Sequence, residues 1–291
     1  MNLIRNLRKI CTSINPVLAS KIMYRKTMKK NINLKDPQTF NEKITYLKLF
    51  KYPYMDDVIK CSDKYAVREY LIERGFKKYL VKLIGVWNDP EEIDWNQLPQ
   101  KFVLKCNHGC AYNIICTNKN NLNIEKSKKM LSKWLKEDFG KVSGELHYSK
   151  IKRKIICEEY LEDEIKDYKF FCFKGKPEFF YISQNIAGDF HNMQADFFYT
   201  NGKPTEFRRT DHQSFKDTPL LPDNLKEMVS LAEKLSKNFE FVRVDLFDVK
   251  GKIYFSELTF SPCAGFMPIT PQNYDLEIGK KIDVNSVRVK K

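Results

Sequence analysis

The sequence predicts an α+β protein, either one large domain or two subdomains that share a cleft. Three observations carry that expectation. Alternating, strand-like runs and helix-like runs are mixed along the chain without the regular β-α-β rhythm of a doubly wound sheet. The alternation is strongest at residues 102–107, 154–159, 168–174 and 240–259. The chain has 291 residues, 42% hydrophobic and only 11 Gly and 12 Pro, enough apolar mass for a large core and the wrong composition for a disordered or repetitive chain.

The elements follow in order. The first 30 residues carry Arg5, Arg8, Lys9, Lys21, Arg25, Lys26, Lys29 and Lys30 and no acid, which is more than half of the net charge of +14. Leu3, Ile4, Leu7, Ile10, Cys11 and Ile14, then Val17, Leu18, Ile22 and Met23, recur at helical spacing on either side of Pro16. Two short basic amphipathic helices are expected. They either dock on anionic lipid or an acidic polymer, or pack their apolar sides on the domain and show charge to water. A mostly helical stretch follows over 38–80, with helix starts at Asn41 and at Ser62-Asp63-Lys64, and then a turn-rich stretch ending at Leu98-Pro99. Residues 102–107 and 112–117 read as two strands around His108-Gly109, and Ile124, Leu131, Trp134, Leu135 and Phe139 mark a helix. Strands resume at 154–159, 168–174, 178–183 and 195–199. A helix opens at Pro222-Asp223, and strands at 240–247 and 252–259 end the pattern.

No stretch approaches the roughly 18 unbroken apolar residues of a membrane-spanning helix, and no secretory h-region is visible. A folded, cytoplasmic protein is expected, its eight cysteines reduced. Cys106, His108, Cys110 and Cys116 match no zinc-ligand spacing.

The last two strands are the most informative segment. Gly251 suits the left-handed third position of a three-residue loop, Val249-Lys250-Gly251. In that register Asp248 faces Lys252, Asp245 faces Phe255 and Arg243 faces Glu257, so Arg243, Asp245, Glu257 and Thr259 share one face. Val244, Leu246, Tyr254 and Leu258 line the other. Two carboxylates beside a guanidinium are either an ion-pair network or a magnesium site shared with substrate phosphates. Lys105, on a strand before Asn107-His108-Gly109, is either a solvated lysine or a phosphate anchor with backbone amides beside it. Cys157-Glu158-Glu159-Tyr160-Leu161 is either an exposed strand end or the rim of a nucleotide pocket.

Taken together, these segments resemble an ATP-grasp ligase, and within that superfamily the TupA-like branch associated with teichuronopeptide and capsule polysaccharide biosynthesis. The stretches that carry the resemblance are Thr39 to Lys43, Asp63-Lys64, Phe102 to Gly109, Asp167-Tyr-Lys169-Phe-Phe171, and Phe241 to Pro262 with Gly265, within about residues 36–284. The resemblance implies an ATP-grasp fold, two α+β subdomains enclosing ATP, behind a helical N-terminal segment. Its divisions would be 1–34 (basic helices), 35–100 (helical and mixed), 101–156 (lid), 157–284 (metal-bearing subdomain) and 285–291 (basic tail).

By the same resemblance, Lys64, Lys105, His108 and Gly109 would meet the phosphates, and Glu158, Glu159, Tyr160 and Leu161 the adenine. Asp167, or Glu164 in its place, would meet the ribose, with Lys169 beside it. Asp245, Glu257 and Thr259 would hold Mg2+, although Thr259 stands where such ligases carry Asn. That change would hold a second metal less firmly. Arg243 and Lys105 would act in catalysis. The implied reaction turns a carboxylate into an acyl phosphate with ATP, then into an amide with an amine. The branch implies a uronic-acid-bearing glycan acceptor and an amino acid or small amine as partners; the docking reading of the basic N-terminal helices adds peripheral association at the inner face of the membrane. Three rivals remain. They are an ATP-grasp phosphotransferase, a glycosyltransferase of the same pathway, and a non-catalytic binder of anionic polymer. Nothing resembles a nucleic-acid recognition helix or stacking platform.

Overall fold

A computed structural model describes residues 2–161, 165–184 and 193–289. The chain opens with α1 (Asn2–Ile14) and α2 (Pro16–Met28), then α3 (Phe40–Phe50), α4 (Asp56–Ser62) and α5 (Val67–Glu73). The first sheet uses β1 (Leu83–Trp87), β2 (Phe102–Cys106) and β3 (Asn113–Cys116). After α6 (Ile124–Lys136) and α7 (Phe139–Ser143) it is completed by β4 (Ile155–Glu159). Its order is β1-β4-β2-β3. The second sheet contains β5 (Lys166–Phe173), β6 (Lys176–Gln184) and β7 (Gln194–Tyr199). After β8 (Arg208–Arg209) and α8 (Leu225–Ser236) come β9 (Phe241–Val249) and β10 (Lys252–Thr259), giving the order β10-β9-β5-β6-β7. β11 (Ile269–Thr270) pairs with β8, and α9 (Asn273–Gly279) follows.

The α+β expectation holds, but the expected division at 101 does not. β1 lies in the stretch read as turns and pairs with β4, so the small sheet gathers residues 83–159. Leu83-Ile-Gly-Val-Trp87 is short and shifts register between Leu83 and Gly85, which hides its alternation. Asp63 and Lys64 likewise sit at the break between α4 and α5 rather than at a helix start.

In the small sheet, Phe102, Leu104 and Cys106 face Leu131 and Trp134 of α6 in one apolar cluster. Val103 and Lys105 take the opposite face, as strand alternation requires. The large sheet is covered on one face by α8, through Met228, Leu231, Ala232 and Leu235. On the other face Phe40 of α3 sits among Phe171, Phe173 and Phe241, with ring centroids 5.2 to 6.4 Å apart. That cover reaches only one end of the face and leaves the end bearing Asp245, Lys169 and Glu257 turned to the small sheet.

The segment Thr39 to Lys43 locks the end of the chain to α3. Thr39 and Glu42 form a reciprocal capping box, so α3 begins at Phe40, one residue before its expected start. Asn41, fully buried, donates to Met267 O (2.8 Å) and Asp275 Oδ1 (2.9 Å) and accepts from Met267 N (2.7 Å). Lys43 donates to Ile282 O at 2.7 Å.

α1 overturns the expectation of an apolar side packed on the domain. Its inward stripe is Arg5, Lys9 and Thr12, and its aliphatic side is exposed. Among the described residues, no helix is long and apolar enough to cross a membrane.

His147 lies beneath this architecture, fully buried against Tyr52 and Tyr148, with neither ring nitrogen hydrogen-bonded. Burial, then the charge of Lys48, push its pKa down to about 3. Between about pH 6.5 and 3 the unfolded chain therefore binds a proton that the folded one refuses, and stability falls as the pH falls. Urea denaturation across that range should show this acid slope, up to about 1.4 kcal/mol per pH unit. It should flatten in His147→Phe. An unchanged slope in the variant would assign the acid sensitivity elsewhere.

Candidate active site

β9 and β10 are joined by a tighter turn than expected. Lys250 and Gly251 have φ of 53° and 79°, so both central residues of a two-residue turn are left-handed. The register near the turn is one residue from the expected one, with Asp248 opposite Ile253 and Leu246 opposite Phe255. Continued unbroken, it would place Asp245 opposite Ser256 and turn Glu257 to the core. A bulge between Phe255 and Glu257 absorbs Ser256, and beyond it Glu257 lies opposite Asp245 and Thr259 opposite Arg243. The four side chains thus share a face, with Asp245 and Glu257 as direct rather than diagonal neighbours. The core face carries Ile253 and Phe255 in place of Tyr254.

One rung crosses the whole large sheet: Glu257, Asp245, Lys169, Tyr181 and Phe197, each opposite the next. Asp245 has no exposed surface. Arg243 grips it with two donors, Nε to Oδ1 at 2.7 Å and Nη2 to Oδ2 at 2.5 Å, and Lys169 Nζ reaches Oδ2 at 2.9 Å. A buried carboxylate needs such compensation. Lys169 also bonds Asp167, whose other oxygen, Oδ1, is buried without a partner. Burial outweighs the pull of Lys169 and, with the Asp245 charge added, raises Asp167 to about 6.

Glu257 is the opposite case. Its side chain keeps 32% of its surface. Burial pushes its carboxyl up, but Lys64, Arg243 and Lys169 overcome that and hold its pKa at about 2. Thr259 donates to it at 3.0 Å and Lys64 Nζ lies 3.5 Å away.

The second side of the cleft belongs to the small sheet. Glu158 opposes Val103, and Glu159 opposes Phe102, so the two acids point to opposite faces. Glu158 is turned into the cleft and buried, bonded by Lys105 (2.6 Å) and Arg68 (3.0 Å). Glu159 is exposed, and Tyr160 and Leu161 are half-buried where β4 ends. Lys64 Nζ bonds Gly109 O at 2.8 Å, so it ties the loop after β2 to Glu257 on β10. The cleft between them, lined by Lys64, Arg68, Lys105, Glu158, Phe255 and Ser256, is narrow.

The loop is shaped by Asn107, buried and bonded to Asp63 Oδ1 (2.8 Å), Lys152 O (3.0 Å) and the amide of Lys154 (2.7 Å). At Gly109 a Cβ would fall 2.6 Å from the Tyr112 ring, so glycine is needed for that close approach.

Several expected roles change on this geometry. His108 is fully buried, its Nε2 within 3.1 and 3.2 Å of Trp134 O and Glu137 O, so it anchors the loop to the end of α6 and offers nothing to a phosphate. Glu158 holds Lys105 rather than facing a base. Asp167 is buried on Lys169 and presents no oxygen to a ribose, and Glu164 lies outside the described residues. Arg68 and Tyr181 were not anticipated. The four-residue spacing from Lys64 hints at Arg68, whereas Tyr181 joins only through sheet pairing.

Two sheets facing each other across lysines, with an acidic hairpin at the floor, define the ATP-grasp class. The family model described as TupA-like ATPgrasp matches residues 42–283, and the chain belongs to that family. No curated protein matches. Among solved structures the chain is similar to D-alanine–D-alanine ligase from Bacillus anthracis, at 20% identity over 69% of this chain and 57% of that one, with a TM-score of 0.40. It is also similar to D-alanine–D-alanine ligase from Helicobacter pylori, at 13% identity over 87% and 68%, TM-score 0.43. L-amino acid ligase from Bacillus licheniformis gives 12% over 69% and 43%, TM-score 0.42. The chain thus spans between about two fifths and two thirds of these structures' length. The family match alone carries the assignment.

ATP-grasp enzymes use ATP and Mg2+. The donor set fits magnesium held by one protein carboxylate together with phosphate oxygens. Glu257 is ionised, partly exposed and beside a hydroxyl, whereas both oxygens of Asp245 are taken by Arg243 and Lys169. Among the described residues no cluster of three or more His, Cys, Asp or Glu side chains gathers as a ligand set.

Lys169 joins two buried carboxylates, so its loss should cost more than its own contacts. Lys169→Met should destabilise the fold by about 3 kcal/mol, and adding Asp167→Asn should recover a substantial part of that. Urea titration checks both. A double variant no more stable than the single one would show that Lys169 does not act by compensating Asp167.

Proposed function

We propose that the protein is an ATP-dependent carboxylate–amine ligase that forms an amide through an acyl phosphate. The observation that carries this reading is the convergence of Lys64, Lys105 and the hairpin pair Arg243 and ionised Glu257, from three separate chain segments, at the cleft and its floor. Each lysine is held there by an oxygen: Gly109 O and Glu257 for Lys64, Glu158 for Lys105. Phosphate oxygens would take over those places as the two sheets part, and the loop over Gly109 would be released with Lys64.

On this reading the adenine lies against Tyr160 and Leu161, with Glu159 beside them at the end of β4. Lys64 and Lys105 neutralise phosphate oxygens, and Arg68 keeps Glu158 from following Lys105. Glu257, with the Thr259 hydroxyl, would hold Mg2+, which would supply charge neutralisation to the phosphates. Asp245 serves to fix Arg243, and Arg243 keeps its guanidinium beside Glu257, where negative charge develops. The carboxylate of the acceptor attacks the γ-phosphorus and ADP leaves. The amine then attacks the acyl carbon, losing a proton, and phosphate leaves. Positioning and charge stabilisation suffice for this chemistry, and no nucleophilic side chain is required.

The acceptor we infer is a uronic-acid-bearing surface glycan or its precursor, and the amine an amino acid or small amine. The net charge of +14 suits a polyanionic acceptor. The cytoplasm, where ATP is available and thiols stay reduced, is the compartment this reading requires.

The test is to supply ATP and Mg2+ with candidate amines and uronic-acid glycans, and to follow ADP release and product mass. A conjugate lighter by one water than its components, formed with ADP, is expected, whereas a phosphorylated acceptor would overturn the reading. In Glu257→Gln, which keeps the shape and removes the charge, ADP release should fall on the order of 100-fold while the protein stays folded with a lowered melting temperature, because Lys64 and Arg243 lose an ionised partner. Wild-type turnover in that variant would remove Glu257 from the metal-binding role.

A further inference from the structure

Helices α1 and α2 carry their hydropathy inside out. Along α1 the stripe turned to the body of the protein is Arg5, Lys9 and Thr12. Arg5 fastens it there by bonding Glu137 (2.5 Å) and the hydroxyl of Tyr112 (3.3 Å). Leu3, Ile4, Leu7, Ile10 and Ile14 fall on the other side, each between 52% and 79% exposed. α2 is anchored through Ala19, Ser20 and Tyr24, the last edge-on to Phe266 at 5.8 Å. Its Leu18 and Ile22, one turn apart, are again more than half exposed. A helix that served only the domain would turn this aliphatic side inward. A contiguous apolar stripe left in water marks a contact surface.

The charge beside the stripe selects the occupant. Arg8, Lys21, Arg25, Lys26 and Lys29 are all exposed, and the first 30 residues contain no acid. A second copy of this surface would bring cations against cations with no carboxylate from either segment to offset them. An anionic bilayer meets both features, with acyl chains for the aliphatic side and headgroup phosphates for the cations. α1 and α2 have 13 residues each, which at about 1.5 Å per residue is too short to cross a bilayer and suited to lying in its surface.

We propose that α1 and α2 form a docking surface for an anionic lipid bilayer, with the aliphatic side of α1 at the acyl boundary and the cations among the headgroups. The docked surface is fastened to both sides of the cleft, α2 to Phe266 beyond β10 and α1 to the small sheet. Through Arg5, α1 is tied to Glu137 and Tyr112, and the Tyr112 ring stacks on Trp134 of α6 (5.5 Å between centroids) and closes against Gly109 of the cleft loop. This inference does not depend on the ligase reading, and its failure would leave that reading intact.

The test is co-sedimentation of the full chain with vesicles of phosphatidylcholine alone and of phosphatidylcholine mixed with phosphatidylglycerol. Binding to the anionic vesicles is expected, weak binding to the neutral ones, and release as salt is raised. Ile10→Ser/Ile14→Ser should lose most of the binding. Lys21→Gln/Arg25→Gln/Lys26→Gln should weaken it roughly fivefold per charge removed. Both variants should keep the wild-type melting temperature, because the altered side chains face water. Three results would each overturn the proposal. They are absence of binding to either vesicle, undiminished binding of both variants, and a dimer that Ile10→Ser/Ile14→Ser dissociates while vesicles leave it unaffected.

Discussion

Asp245 is a carboxylate removed from water, and the site is arranged around keeping it charged. Arg243 and Lys169 supply two cations to one anion, from the strand that bears it and from the strand beside it. Because each is also bonded elsewhere, the compensation spreads. Lys169 draws in Asp167, and Arg243 reaches toward Glu257 and Thr259. The result is a rigid floor in which one acid is spent on structure and the next, Glu257, is left ionised and partly exposed. Two carboxylates that look equivalent along the chain therefore do different work, and the difference is set by burial.

The cleft above that floor is held closed by the cations that line it. Lys64 bonds a loop carbonyl on one sheet and faces a carboxylate on the other, and Lys105 is clamped by a glutamate that Arg68 holds in place. These partners keep the lysines aimed into the cleft, which lowers the cost of ordering them when a polyanion enters. On the proposed reading, the same contacts couple opening of the cleft to phosphate binding, because each lysine exchanges a protein oxygen for a phosphate oxygen.

Some residues of the stretches that carry the family resemblance are bonded into the fold. Asn41 closes the chain by bonding Met267 and Asp275, and Lys43 adds Ile282. Asn107 and His108, beside Lys105 in sequence, are buried supports, one for the segment at Asp63 and one for the end of α6. Their place beside Lys105 in sequence is what makes them look like ligands. A loop that must present one cation in one place needs its neighbours buried and bonded.

The sequence alone determined the mixed α+β class, most strand and helix positions, and the gathering of Arg243, Asp245, Glu257 and Thr259 on one hairpin. Class and element positions follow from local alternation, which is written in consecutive residues. The common face of those four side chains does not, because the turn is a two-residue one and only the bulge returns Glu257 to that face. It also revealed the cationic N-terminal segment and its two amphipathic patterns. Tertiary structure decided the rest. The bulge at Ser256 makes Asp245 and Glu257 direct neighbours, and a bulge depends on what the core face can accept, here Phe255 and Leu258 on either side of the kink. The partners of Lys105, Lys169 and Lys64 come from strands and loops far along the chain, so pairing alone could assign them. Which side of α1 faces inward was likewise beyond periodicity, because an amphipathic pattern gives two faces and only the body of the protein, through Glu137 and Tyr112, chooses between them.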